Sequence, residues 1–287
     1  MAQRKRRVRE PERSNRRAPR KDALPPNVSF LTEQAMGSLG SSFLPKSDNQ
    51  ARAQNLFYQA MQAQSAEEFV GLIKHVLELD PRCVDALSAV VVMEGAGLDE
   101  QISHCRQIVE IATENLGSDF FKENRGSFWG ILETRPYMRV RLQLASLLAR
   151  ARRVEEAIGH YEEMLELNPG DNQGLRYPLM GHYLAAGRLD GARRLLKSYA
   201  GDANAIFAWG HVLERFLSDD IAGATTARKR ARAQNKHTEL YLTGKRRVPK
   251  ELPDYYGLGD ENEAILCAYE LKPACTQAFR AWLKGTP

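Results

Sequence analysis

From Asp48 onward, apolar residues recur at steps of three and four, the spacing that gathers side chains on one face of an α-helix. Within residues 155–171 they fall at 157, 158, 161, 164, 165 and 167. Asn168-Pro169-Gly170-Asp171 then ends the helix, because proline supplies no backbone N–H and glycine turns the chain readily. The same reading predicts a helix over 48–64 with Leu56, Phe57, Ala60 and Met61 on one face. Ser65 opens the next as N-cap, with Glu67 and Glu68 in its first turn. That helix closes on Leu77-Glu78-Leu79-Asp80-Pro81, the same ending as Leu165-Glu166-Leu167-Asn168-Pro169. Further helices are predicted at 84–94 and 100–116, 137–149 and 153–167, 172–186 and 189–199, and 203–217 and 220–235. Residues 248–253 are predicted to be extended, and helices at 261–270 and 276–284 close the chain. Residues 117–136 interleave Gly117, Gly126, Gly130 and Pro136 with Phe120, Phe121, Phe128 and Trp129, a pattern that predicts a packed insertion. Strand alternation is missing, so the expected class is all-α with at least nine helices after residue 48.

The helices come in pairs with a repeat. Placing Pro169 at position 32 of a unit of about 34 residues starts that unit at Met138. Ala145, Ala157 and Tyr161 then occupy the small or aromatic positions. This unit resembles a tetratricopeptide (TPR) repeat. A following unit from Asn172 puts Leu175, Leu179 and Leu195 at core positions, with Ala192 one place off. Pro81 and Pro169 lie 88 residues apart, which whole repeats do not span and the insertion accounts for. The resemblance implies a right-handed α-α solenoid of degenerate TPR-like helix pairs, in which each pair buries its apolar face against the next. Further on, residues 234–242, 248–253 and 259–264 resemble the C-terminal helical region of the suppression-of-tumorigenicity-seven family. Lys236 stands where that family has proline, and the family's membrane-spanning segments are missing. Over 125–260 the chain also resembles bacterial soluble TPR proteins, through residues 134–139 and 168–173. Both resemblances imply an interaction protein.

Charge divides the chain. The net charge is +5 over 287 residues, yet residues 1–21 hold ten Lys/Arg against Glu10 and Glu12, which leaves the remainder at −3. Residues 1–21 contain Val8 as their one branched apolar residue, too little to offset the entropy of ordering. Residues 1–47 are therefore expected to be a disordered basic leader with a Pro/Ser/Gly-rich linker, and residues 30–39 within it form a short apolar piece able to dock on the body. Residues 48–287 are expected to be the helical repeat domain, with the insertion at about 117–136 and a capping region at about 245–287. No apolar run reaches the length of about 18 residues needed to cross a bilayer. The basic start lacks a following apolar segment, which argues against an export signal. The expected location is cytoplasmic, or nuclear in a eukaryote. Cys83, Cys105, Cys267 and Cys275 lack C-x-x-C spacing and are expected to be reduced thiols.

No motif for nucleophilic, phosphoryl or metal chemistry is present, and the six histidines are isolated. The chain is thus expected to be neither an enzyme nor a metal or cofactor binder. The TPR resemblance implies instead a concave groove lined by the first helix of each unit. The residues assigned to it are Arg139, Arg150, Gln173, Arg176, Met180 and Tyr183. Guanidinium groups present planar donor forks that suit a partner's carboxylates, though Asp171 or Glu133 could pair with them internally. Ser146 and Met180 stand where carboxylate-clamp TPRs carry asparagine, which argues against chaperone-tail binding. Asn172 is expected to cap its helix, and Tyr161 and Tyr177 to be core. The expected partner is a protein or peptide. The rival reading is nucleic-acid association through the leader and the clusters Arg228-Lys229-Arg230-Ala231-Arg232 and Lys245-Arg246-Arg247, a solvated face in the plainer view.

Overall fold

The computed structural model describes Glu33 and residues 47–285. Among these residues there is no strand, and fourteen α-helices follow one another. The expected disordered leader and its short apolar piece, apart from Glu33, lie outside the described residues.

Helices α1 (Asp48–Ala60) and α2 (Ala66–Leu79) form the first pair. Ser47 and Gln50 close a reciprocal capping box at α1, and Ser65 accepts from the Glu68 N–H at α2. Their small core of Phe57, Tyr58, Ile73 and Val76 continues into Cys83 and Ala86. Helices α3 (Val84–Glu94) and α4 (Leu98–Leu116) come next. The insertion holds a short α5 (Ser118–Glu123) and two 3-10 turns, Phe128–Gly130 and Leu132–Thr134. Its aromatic residues pack inward, with Phe121 5.0 Å from the rings of both Phe128 and Tyr137.

Three regular pairs follow: α6 (Arg135–Arg150) with α7 (Val154–Leu167), α8 (Arg176–Ala185) with α9 (Leu189–Ser198), and α10 (Ala205–Leu217) with α11 (Ile221–Gln234). Each pair packs on the next through a continuous core that includes Met138, Leu148, Ile158, Met164, Trp209 and Val212. This is an all-α helical repeat solenoid. The start of α8 differs from the expected 172. Asp171 takes a left-handed backbone at φ 48°, and Gly174 one at φ 71°. The Asp171 carboxylate then accepts from the N–H groups of Leu175 (2.7 Å) and Arg176 (3.1 Å). The cap is therefore Asp171 and not Asn172, whose side chain stays outside the helix start.

The C-terminal segment closes the structure from an unexpected side. After α12 (Thr238–Leu242) and a non-helical stretch, α13 (Glu261–Leu271) lies against α8, α10 and α12. A 3-10 turn (Lys272–Ala274) returns over α8, and α14 (Gln277–Gly285) brings Phe279 and Trp282 onto Phe216. The approach of α13 to α8 depends on Gly181. A Cβ there would sit 2.4 Å from the Glu270 carbonyl oxygen, so only glycine admits this contact.

Candidate functional site

A cleft of about 1440 Å³ opens between two walls. One wall is formed by α6, the turn before α8 and α8 itself, which carry Ser146 and Arg150, Gln173, and His182 in that order. The other is α13 with its following turn, which contributes Leu266, Tyr269, Glu270 and Pro273. Tyr256 joins from the loop before α13. Tyr269 is 53% exposed and Tyr256 40%, and nearby in sequence Tyr255 and Leu258 stand still further out. Large apolar side chains held in water beside a cleft are a mark of binding surfaces.

The three arginines assigned to the groove have three different fates. Arg139 does not face open solvent: it is 3% exposed. Its Nε and Nη2 donate to Asp85 at 2.8 and 2.6 Å, and its Nη1 donates to both Glu33 oxygens at 3.0 and 2.9 Å. Arg135 adds a 3.2 Å ion pair to Glu33, and the Tyr58 hydroxyl donates to it at 3.4 Å. The carboxylate expected from a partner is thus supplied by the chain itself, from a residue that precedes the helical body. Burial works against the Arg139 charge, and the contacts with Asp85 and Glu33 outweigh it, moving its pKa further up. Arg176 lines the cleft but is held by Asp202 at 2.6 Å and Asp171 at 2.8 Å, between the rings of Tyr177 and Tyr199. Arg150 is different. It is exposed at the C-terminal end of α6, lines the cleft and has no ion pair among the described residues.

Polar groups inside the cleft are incompletely satisfied. Gln173 donates through Nε2 to the Met138 carbonyl at 3.4 Å, while its buried Oε1 accepts nothing. Ser146 and Tyr161 line the cleft together, and His182 stacks on Tyr161 at 5.7 Å. Burial lowers the His182 pKa, which keeps the ring neutral. Burial alone pushes the Glu270 carboxyl up to about 7. A half-buried carboxylate in a cleft loses hydration that a structural role would ordinarily offset with a counter-ion.

Residues 139–205 match the tetratricopeptide repeat family model. The match runs from the first turns of α6 to the start of α10, so it contains both helices of the cleft's repeat wall. Tetratricopeptide repeats are in general non-catalytic scaffolds for protein–protein interaction. The match stops short of residues 234–264, whose resemblance to the suppression-of-tumorigenicity-seven family it leaves without support. No curated protein and no solved structure matches the chain.

Within the tetratricopeptide region, Met180 and Tyr183 are not groove residues. Met180 is fully buried against α10 at Gly210, and the Tyr183 ring packs on Gly191 while its hydroxyl donates to Glu162 at 2.6 Å. The cause is register. The buried alanines Ala157 and Ala192 are 35 residues apart, one more than the repeat, so the second unit starts at residue 173 rather than 172. A slip of one residue turns a helix face by about 100°. That turn carries Gly181 and Ala185 toward α13 and the cleft, and Met180 into the core. The displaced Ala192 was the signal. Glu270, Tyr269 and Tyr256 escaped sequence reasoning altogether, because no repeat position points to a helix that folds back from the C-terminus.

The basic clusters behind the nucleic-acid reading are partly consumed inside the fold. Arg228 is 2% exposed and donates to Glu239 and to the Leu283 carbonyl. Arg232 shares Glu239, and Arg246 pairs with Glu261. Lys229, Arg230, Lys245 and Arg247 remain exposed. Among the described residues no helix is long and apolar enough to cross a membrane.

Proposed function

We propose that this protein docks a segment of a partner chain in the cleft between the α6–α8 wall and α13. The observation that carries this reading is the open cleft itself, about 1440 Å³, rimmed by exposed tyrosines and lined by polar groups that the chain leaves unmet. The tetratricopeptide match over its repeat wall supports an interaction role. Of the groove residues expected from the sequence, Arg150 and Gln173 belong to the proposed contact surface. Arg150 is available to a partner's carboxylate, and Arg176 borders the cleft as a fixed, internally paired cation. Arg139, Met180 and Tyr183 support the fold and lie outside the proposed contacts. No catalytic role is proposed.

A photo-crosslinking amino acid placed at Ser146, an exposed cleft position, tests this in the full-length chain. It should trap a partner in extract of the source cells, whereas the same group at Lys197, exposed on α9 and away from the cleft, should not. Trapping from Lys197 with none from Ser146 would move the docking face to the second helices of the pairs and end this reading.

A further inference from the structure

We propose that the cleft receives a lysine or arginine side chain of the docked segment, with Glu270 as its counter-ion. This rests on the docking reading above and names the chemistry of the docked segment. Glu270 sits on α13 where that helix touches α8, its own carbonyl oxygen pressed against Gly181, so its position is fixed by backbone packing. Its side chain lines the cleft and makes no hydrogen bond or ion pair with any described residue. Arg150, Arg152 and Arg176 also line the cleft, yet no charge of the chain contributes to the state of Glu270, which burial alone perturbs.

The neighbouring groups favour a cation over other occupants. The orphaned Gln173 Oε1 is a second acceptor without a donor in the same cleft. Tyr269, 53% exposed, contributes an aromatic ring at the rim, while Tyr161 is buried beneath a neutral His182. An aromatic face attracts ammonium and guanidinium groups through its quadrupole. A basic side chain would meet the acceptors and the Tyr269 ring together and relieve the desolvated carboxylate. An acidic side chain would instead set like charges side by side in a partly buried space. The acid-accepting end of the cleft is Arg150, so the fitting segment is of mixed charge, with its basic residue at Glu270.

The test is selection of a random dodecapeptide library against the full-length chain, followed by fluorescence anisotropy of the enriched peptides. The chains compared are the parent, Glu270→Gln and Ser146→Trp. Expected are peptides sharing one fixed Lys or Arg. Replacing that residue by Gln, or using Glu270→Gln, should each weaken binding at least tenfold, with no further loss when both changes are combined. The peptide-side replacement keeps the test valid even if the Glu270→Gln chain folds poorly. Peptides blocked by Ser146→Trp but indifferent to Glu270→Gln, or lacking a fixed basic residue, would overturn the cation assignment and leave cleft docking standing. Peptides indifferent to Ser146→Trp, or no enrichment at all, would overturn both.

Discussion

Glu33 offers the sharpest check on how the N-terminal region meets the helical body. Its carboxylate is 1% exposed and bridges Arg139 and Arg135, while Asp85 holds the other edge of Arg139. The four side chains balance as two cations and two anions. Glu33→Ala leaves Arg139 with Asp85 alone and removes the ion pair of the largely buried Arg135. Breaking a buried pair by removing one partner costs about 3–5 kcal/mol. The retained Asp85 contact argues for the lower end, about 3 kcal/mol. For a body of this size each kcal/mol moves Tm by roughly 2–4 °C, so a fall of roughly 6–12 °C is expected. Thermal unfolding followed by circular dichroism reads this directly. Deleting residues 1–21, with their single branched apolar side chain, should leave Tm unchanged, whereas deleting residues 1–46 should match Glu33→Ala or exceed it. A Glu33→Ala chain that melts within about 1 °C of the parent would refute the placement of Glu33 on Arg139. It would also return Arg139 to the list of groups open to a partner.

Other perturbations probe the cleft and the repeat. Gly181→Ala drives a methyl group to 2.4 Å from the Glu270 carbonyl; overpacking of this kind costs about 1–3 kcal/mol, and it should raise hydrogen exchange across α13, whereas unchanged exchange would mean α13 does not rest on α8. Glu270 shares its cleft with Tyr161, His182, Tyr269 and the cations Arg150, Arg152 and Arg176; its carboxyl is raised by burial from 4.5 to about 7, so its contribution to stability is full below pH 4.5 and lost as pH rises through 7. Glu270→Gln should therefore gain on the parent chain in urea unfolding at pH 8 and by little at pH 4.5; equal stability at both pH values would contradict this. His160 accepts from Arg141 Nε at 3.2 Å, and burial together with the Arg141 charge holds it down at about 4 against 6.5. Its contribution is complete above pH 6.5 and falls away as pH drops toward 4, so His160→Gln should flatten the acid limb of the stability profile. Arg176→Ala strands Asp171 and Asp202 and should lower Tm, not merely weaken partner binding, and an unchanged Tm would show the arginine to be a surface group.

The helices, their pairing and their stops were written in local sequence. Steps of three and four, Ser65 before its two glutamates and the Leu-x-Leu-Asp/Asn-Pro endings act within a turn or two, and short-range backbone chemistry decides them before any packing occurs. Between residues 117 and 136 the glycines break the helical period, and among the aromatics there Phe128 is buried while Phe120, Phe121 and Trp129 are half-buried. Which face of α8 looks into the cleft was legible only through one displaced alanine, because a single extra residue between units rotates every side chain that follows. The composition of the site lay beyond local reading. Arg139 meets Asp85 from α3 and Glu33 from more than a hundred residues away, and Arg176 meets Asp202 across a repeat. An arginine that awaits a partner and one that is already paired look the same in sequence. Glu270 reaches the cleft because α13 folds back onto α8 at Gly181. Such contacts depend on where distant segments settle once their apolar faces are buried, and the tertiary structure alone fixes that.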